Sequence, residues 1–415
     1  MRVAIVCANY KEGKSYQENV WAEQLAKSGH DVRVFHAALA DGPVKRVQNA
    51  IGPYESQAAK AWKLPKYTYV SPRVHLFVRE FRPELIVLCG DKTFAVRIAR
   101  DASIRSVPMI STYSENLTMH EFDWRKRGIS MRQRSLALGF AWYRGGPIRL
   151  ICRRSALVVG NTPQARGILK RLFRTSEWPA IDAKMIDMPL GFSPDHFGYD
   201  PAVRRRVRAE LGVNEREVLV CASSHFTHVK EPGVKLVIDA LREVMKRHES
   251  LKAVIVGFSN APEHAAVTAR IAEHIDAGPF SERFIKHPFA GRERLCELYN
   301  GSDIAFFARA SISCQETLGT GLIGCLVDDG SLKHLITMPG QGVFFKPGDE
   351  RDLVAKLEEA QRPLDHLQGP EREKFRRELA DGSRWLGYDR IIDATLRELQ
   401  RREGTQPALR QAQSA

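Results

Sequence analysis

Two polar segments of the sequence, each directly after an apolar run, carry side chains suited to holding a phosphorylated nucleotide. The run "VLVCA" precedes "SSHFTHVKEPG", which contains His225, His228 and Lys230, and the run "IAFFA" precedes "RASISCQETLGTG", which contains Glu316. A lysine and imidazoles beside a helix N-terminus suit a diphosphate, and a carboxylate suits the neighbouring hydroxyls of a ribose. Together the two segments predict a site for a nucleoside diphosphate, although each residue alone also fits an ordinary solvated loop or helix.

The elements around these segments follow a strand–helix alternation that predicts two parallel-sheet domains. Runs such as "RVAIVCA" and "ELIVLCG" alternate with amphipathic stretches, and after "LGFSPDHFGYDP" the alternation starts again. This order indicates βαβ units and open parallel sheets, which bind ligands at the carboxyl ends of their strands. We predict an α/β fold with two Rossmann-like doubly wound domains over residues 1–190 and 191–380, a helix over 381–402 and a flexible tail over 403–415.

The composition excludes several classes of protein. With 43% hydrophobic and 27% charged residues the 415-residue chain is typical of a folded protein, and no run approaches the ~18 apolar residues of a membrane span. The N-terminus predicts a first strand rather than a signal peptide, and the seven scattered cysteines favour a reducing compartment. We therefore expect a cytoplasmic protein. The net charge of +14 favours anionic partners, but it is the only feature that suggests nucleic acid, which we do not expect to bind.

One basic segment, residues 124–154, contains nine arginines and lysines interleaved with Leu, Phe, Trp and Tyr and has no acidic residue. Two interpretations stay open. The segment lies on the anionic inner face of a membrane, where it would bring a lipid-linked acceptor close, or its apolar side chains face the domain core and its arginines are solvated.

The order of the motifs in the second half resembles the donor domain of GT-B fold retaining glycosyltransferases of the group 1 type. The motifs are "LGFSPDHF", "ASSHFTHVKEPGVKLVIDAL", "CQETLGTGLIGCLVDDGSLKHLI" and "GVFFKPGDERDLVAKL". The resemblance implies two domains facing a cleft, with the C-terminal helix packing back on the N-terminal domain. It also implies transfer of a sugar, with retention, from a nucleotide diphosphate-sugar to a sugar or lipid-linked acceptor, in polysaccharide or glycolipid biosynthesis. The nucleotide sugar is a co-substrate, and neither a metal nor another cofactor is expected.

The resemblance also assigns residues to the donor. Lys230 matches the family's diphosphate-binding lysine, and His225 stands where the family has an arginine. Glu316 matches the second of two glutamates, which holds the ribose, while the first is replaced by Ala308. Further donor contacts are expected from backbone at Gly13, Ser311, Ile312 and Ser313 and from a base pocket at Lys286 and His287.

Two residues of the first half are candidates for catalysis at the acceptor. The resemblance places a histidine after a later strand, where this chain has Ser114, so Glu115 and His120 are the nearby candidates. Two alternatives to a transferase remain open: a nucleotide-sugar epimerase of the same fold, and a non-catalytic protein that binds sugar nucleotides.

Overall fold

The computed structural model describes residues 1–64, 68–90, 92–114 and 130–413, with backbone alone for 132, 133, 136–143 and 405–413. The chain forms two compact units, one made of residues 1–190 and 388–415 and the other of residues 191–387. The first unit therefore contains both the beginning and the end of the described chain.

The first unit is built on an eight-stranded sheet in the order β10-β9-β8-β7-β1-β2-β4-β3. All neighbours are parallel except β3 and β4, and β5 and β6 form a separate antiparallel ribbon. The strands are β1 (Arg2–Cys7), β2 (Asp31–Ala38), β3 (Val44–Val47), β4 (Tyr54–Lys60), β5 (Trp62–Leu64), β6 (Thr68–Val70), β7 (Leu85–Leu88), β8 (Met109–Tyr113), β9 (Leu157–Gly160) and β10 (Met185–Asp187).

The second unit is built on an all-parallel six-stranded sheet in the order β13-β12-β11-β14-β15-β16. Strand order reverses between β11 and β14, which are neighbours, so the loops that follow them leave a crevice at the carboxyl edge of the sheet. The strands are β11 (Val218–Ser223), β12 (Leu251–Phe258), β13 (Phe284–Pro288), β14 (Ile304–Phe307), β15 (Ile323–Val327) and β16 (Gly342–Phe345).

Helices cover these sheets, and their apolar residues recur at the helical period. In α8, for example, Val234, Val237, Ile238 and Leu241 are all buried against the second sheet. The helices are α1 (Gln17–Lys27), α2 (Val74–Phe81), α3 (Val96–Arg100), α4 (Met131–Arg154), α5 (Ala165–Lys170), α6 (Trp178–Asp182), α7 (Pro201–Glu210), α8 (Glu231–Met245), α9 (Pro262–Asp276), α10 (Arg292–Gly301), α11 (Ile312–Gly319), α12 (Glu350–Asp365), α13 (Gly369–Gly382) and α14 (Tyr388–Gln413).

The C-terminal helix differs in its bounds from the prediction. It begins at Tyr388 rather than 381, because residues 384–386 form a separate 3₁₀ turn and Gly387 is extended. It also continues to Gln413, so helix occupies most of the stretch expected to be a flexible tail. Helix α14 packs against α1 in the first unit, and Arg402 donates a hydrogen bond to the Ala183 carbonyl there (2.6 Å).

A buried carboxylate anchors the start of β14. Asp303 is 0% exposed and lies within ion-pair distance of four arginines from α7 and α13. Burial alone would raise the pKa of Asp303, but the arginines, led by Arg204, hold it well below its usual range. The distances are 3.0 Å to Arg204, 3.1 Å to Arg208, 3.1 Å to Arg372 and 3.7 Å to Arg376.

The described end of the basic segment packs into the first unit. Ile151 and Cys152 in α4 are fully buried, and Arg154 donates hydrogen bonds to the carbonyls of Ile104 (2.9 Å) and Val107 (2.7 Å). At these positions the core interpretation of the segment applies, whereas residues 124–129 lie outside the described part of the chain. Among the helices of the described residues, none has the length and apolar content needed to cross a membrane.

Candidate functional site

A cavity of about 760 Å³ opens at the carboxyl ends of β11 and β14, where the strand order of the second sheet reverses. Its walls come from the loop after β11, the first turns of α8 and the loop after β14, with contributions from the ends of β15 and β16. The size is that of a small-molecule site. Lys230, Arg309 and Ser311 are among the residues that line it.

Two cations face this cavity without an acidic partner. Lys230 is half-buried at the start of α8, and Arg309 is exposed in the loop that follows β14. Within the part of the chain that the structure describes, neither side chain pairs with a carboxylate, and none of the cavity-lining residues is acidic. Burial lowers the pKa of Lys230, and the charge of Arg309 lowers it further. An anion placed between them would relieve this repulsion.

The start of helix α8 lies directly against the loop that carries Arg309. A Cβ atom added to Gly233 would lie 2.9 Å from the Cβ of Ala308, closer than real Cβ atoms approach one another. A glycine in the first turn therefore lets the helix N-terminus and the loop share one wall of the cavity. In that first turn the Glu231 and Val234 amides donate to the carbonyls of Thr227 and Lys230, and Pro232 has no amide hydrogen, so the partial positive charge at this place comes from the helix dipole.

His225 lies on the same sheet edge but does not line the cavity. Its imidazole stacks on the ring of Phe289, with 4.4 Å between centroids and an interplanar angle of 29°. Both side chains are exposed, Phe289 to 41%. The loop after β11 can pass close to strand β12 because Gly257, with a φ of +140°, has no side chain. A Cβ atom on Gly257 would lie 2.0 Å from the Ser224 carbonyl oxygen. His225 and Phe289 thus form an exposed pair of stacked aromatic rings beside the cavity.

The residues predicted as a base pocket lie on the edge strand β13, with partners of their own. The Lys286 ammonium is 2.7 Å from both carboxylate oxygens of Asp276. His287 donates from Nδ1 to the Pro288 carbonyl (2.7 Å) and accepts at Nε2 from Arg294 (3.3 Å). Neither side chain lines the cavity.

Glu316 is in the middle of α11 and is 2% exposed. It lies close to Tyr299, whose pKa is raised first by burial and then by the charge of Glu316. The Tyr299 hydroxyl is 2.8 Å from Ser223 Oγ, and Ser223 lines the cavity. Glu316 is therefore placed next to a hydrogen-bonded pair that reaches the cavity wall, rather than in the wall itself.

The backbone positions predicted to contact the donor are separated by the structure. Ser311 lines the cavity as the residue before α11, whereas Ile312 and Ser313 do not line it. The Ser313 side chain instead lies close to Tyr299. Gly13 is in the loop after β1 of the first unit, where its φ of +73° favours glycine.

The two residues predicted for catalysis, Glu115 and His120, lie outside the described residues. Ser114, which precedes them, donates a hydrogen bond to Asn161 Oδ1 (3.0 Å) at the carboxyl edge of the first sheet. Within the described ranges no cluster of three or more histidine, cysteine or acidic side chains is arranged to hold a metal ion.

Arg309 is the cavity residue that the sequence did not indicate. The available signal was its position directly after a buried strand, the same signal that pointed to the segment with Lys230. An arginine on an exposed loop is ordinarily solvated. Arg309 lies beside Lys230 only because strands β11 and β14 are neighbours in the sheet.

Comparisons with known proteins agree with this organisation. Residues 203–375 match the family model of glycosyl transferases group 1. A GDP-mannose-dependent alpha-(1-6)-phosphatidylinositol monomannoside mannosyltransferase of Mycolicibacterium smegmatis is 28% identical over 130 residues, which are 30% of this chain. That match spans 33% of the relative's own length.

Two solved structures share the whole fold at low sequence identity. Sucrose-phosphate synthase from Thermosynechococcus elongatus is 14% identical with a TM-score of 0.67, over 98% of this chain and 99% of that one. Anabaena HepE in complex with UDP is also 14% identical with a TM-score of 0.67, over 96% of this chain and 100% of that one. They confirm the predicted fold of two parallel-sheet α/β domains. The family match contains both cavity segments, the one that ends at Lys230 and the one from Arg309 to Ser311.

Proposed function

We propose that this chain transfers a sugar from a nucleoside diphosphate-sugar to an acceptor hydroxyl, with retention of the anomeric configuration. The observation that carries the proposal is the pair of cations, Lys230 and Arg309, facing one cavity at the start of helix α8 without a described carboxylate partner. A diphosphate is the anion that such a cavity, within the residues that match the family model, is best suited to hold.

In this proposal the second unit stabilises the leaving group. The bond from the anomeric carbon to the diphosphate breaks, the acceptor oxygen bonds to that carbon, and the hydroxyl proton departs with the nucleoside diphosphate. Negative charge builds on the diphosphate during the reaction, and Lys230, Arg309 and the positive end of the α8 dipole would stabilise it. Glu115 and His120 remain the proposed groups at the acceptor.

The nucleoside would extend from the cavity along the sheet edge. The exposed stack of His225 and Phe289 suits one face of a base. Glu316 would hold the ribose hydroxyls with the help of Tyr299 and Ser223, which connect it to the cavity wall. In this proposal Arg309 takes the role of the family's diphosphate-binding arginine from a different place in the sequence. His225, which stands at the family's arginine position, stacks on Phe289 instead.

The names of the relatives support a range of donors and acceptors. HepE was solved with UDP, and the Mycolicibacterium relative is named a GDP-mannose-dependent phosphatidylinositol monomannoside mannosyltransferase. A uridine or guanosine diphosphate-sugar and a sugar or lipid-linked acceptor of a cell-surface polysaccharide or glycolipid are therefore proposed here. Contact of residues 124–154 with anionic membrane would bring a lipid-linked acceptor to the enzyme.

The test has two stages on the full chain. Thermal shifts with UDP, GDP and ADP identify the nucleotide, because a ligand that binds only the folded state raises the melting temperature. Nucleotide release from the matching sugar donor is then measured with and without lipid and oligosaccharide acceptors, and sedimentation with anionic vesicles tests the membrane contact. Acceptor-dependent release is expected. Conversion of the donor sugar without acceptor would favour the epimerase, and binding without turnover would favour the non-catalytic protein.

A further inference from the structure

The first unit contains a second cavity, of about 950 Å³, that the proposed transfer does not use. Side chains of α2, α3 and α4 form most of its lining, and Thr93 joins them from the stretch between β7 and α3. The volume is within the range of sites that hold whole small molecules.

The lining of this cavity is strongly basic. It contains four arginines from three different helices, His75 from α2, and one carboxylate, Asp101. Its arginines are Arg79, Arg97, Arg100 and Arg149.

The basic side chains are not neutralised by the protein around them. Within the described residues, the side chains of Arg79, Arg97 and Arg100 make neither an ion pair nor a hydrogen bond, and Arg149 reaches only the Leu172 carbonyl, at 3.4 Å. Asp101 turns Oδ1 towards the backbone and hydroxyl of Ser103, at 2.9 and 2.6 Å. Its single charge offsets one of the four arginines.

A polar atom at this cavity also lacks a partner. His75 Nδ1 is buried and has no hydrogen-bond partner among the described residues, and Asp101 Oδ2 is a second such atom. Burial lowers the pKa of His75, the charge of Asp101 raises it, and the charges of Arg97 and Arg79 lower it again. These groups therefore lie close enough to act on one ligand, and the neutral imidazole can donate or accept a hydrogen bond.

We infer that this cavity binds a phosphorylated small molecule or headgroup, through a phosphate monoester held by Arg97, Arg100 and Arg79 and a hydroxyl-bearing part that reaches His75. Several guanidinium groups around one concave surface suit the planar, multiple hydrogen bonding of phosphate oxygens. The volume exceeds that of a phosphate alone and leaves room for a sugar-sized group. This site is separate from the donor cavity, because all of its lining belongs to the first unit.

The experiment measures binding to the full chain by calorimetry. Glucose 6-phosphate represents a free phosphate ester, vesicles of phosphatidylcholine with phosphatidic acid represent a lipid-borne one, and glucose and pure phosphatidylcholine are the uncharged controls. We expect one phosphorylated probe to bind and its Kd to rise by about tenfold or more in Arg97→Gln/Arg100→Gln, since two charge-assisted contacts are lost. The probe that binds identifies the source of the phosphate.

Two further variants separate a specific site from general attraction to positive charge. Gly146 lines the cavity and an added Cβ meets nothing within 4 Å, so Gly146→Leu fills the space while keeping every arginine, and should also weaken binding. The double variant Arg216→Gln/Arg377→Gln removes two exposed arginines elsewhere and should leave the Kd unchanged. The inference is overturned if neither phosphorylated probe binds, if the cavity variants bind as the unaltered chain does, or if only Lys230→Ala abolishes binding, which would assign the phosphate to the donor cavity.

Discussion

Gly233 and Ala308 meet where helix α8 begins, with only 2.9 Å between the Ala308 Cβ and the position a Cβ would take on Gly233. We expect Gly233→Ala to displace the loop that carries Arg309, because overpacking of this kind costs about 1–3 kcal/mol, and nucleoside diphosphate affinity should fall by about tenfold. Calorimetric titration with the nucleotide found by thermal shift measures the change.

The matched variants make this prediction specific. Gly167→Ala, also in a helix but with open space around the new Cβ, should leave nucleotide affinity unaltered. The double variant Gly233→Ala/Ala308→Gly removes the close contact and should restore binding. If the double variant binds as weakly as Gly233→Ala, the contact is not what positions the loop.

Lys230→Ala and Arg309→Ala should each weaken nucleoside diphosphate binding by about 10- to 100-fold, the range expected for one charge-assisted hydrogen bond. Pyrophosphate binding should weaken in parallel, because both side chains are proposed to contact the phosphates. Lys246→Ala, an exposed lysine of α8's C-terminal end that pairs with Glu243, serves as the control. Unchanged affinity in Arg309→Ala would remove this residue from the site.

The pH dependence of nucleoside diphosphate binding should reflect the loss of the proton from Lys230. Its pKa is lowered by burial and by Arg309, so it loses its proton at lower pH than an ordinary lysine. Since the diphosphate favours the protonated form, affinity should fall as pH rises through that lowered pKa. Lys230→Arg keeps its charge over this range and should flatten the alkaline side of the profile measured by calorimetry. The same alkaline fall in both proteins would assign it to another group.

Glu316→Gln should separate ribose binding from phosphate binding. Pyrophosphate lacks the ribose that Glu316 is proposed to hold with the help of Tyr299 and Ser223, so the variant should lose about tenfold in affinity for the nucleoside diphosphate and none for pyrophosphate. Equal losses for both ligands would instead indicate that Glu316, buried beside Tyr299, acts through the packing of α11.

Asp303→Asn should destabilise the second unit severely. The change leaves four buried guanidinium groups without their shared counter-ion. Removing one partner of a buried ionic group costs about 3–5 kcal/mol, which urea unfolding can measure. Asp393→Asn, which breaks an exposed pair with Arg397, should have no measurable effect. A small effect of Asp303→Asn would mean that the surrounding carbonyls and Glu215, which lies 3.5 Å from Arg204 and 3.7 Å from Arg208, suffice to hold the arginines.

The sequence pattern predicted the elements of the second unit well but only part of its site. "VLVCA" and "IAFFA" form the buried strands β11 and β14, because apolar runs of this length belong in covered parallel sheets. The sequence predicted Lys230 as a site residue because its segment follows such a strand. Three contacts depend on which loops the sheet order makes neighbours. Lys230 lies beside Arg309, His225 stacks on Phe289, and Lys286 forms an ion pair with Asp276. Spacing along the chain does not contain that information.

The position of helix α14 has a consequence for how the chain is made. Because α14 packs on α1, the whole second unit is inserted between two parts of the first. A ribosome completes all of residues 191–387 before it supplies the helix that covers α1. The first unit is therefore finished only after the second. Until residue 388 emerges, the apolar surface of the first unit that α14 covers is open to chaperones, and any product that stops earlier keeps it uncovered.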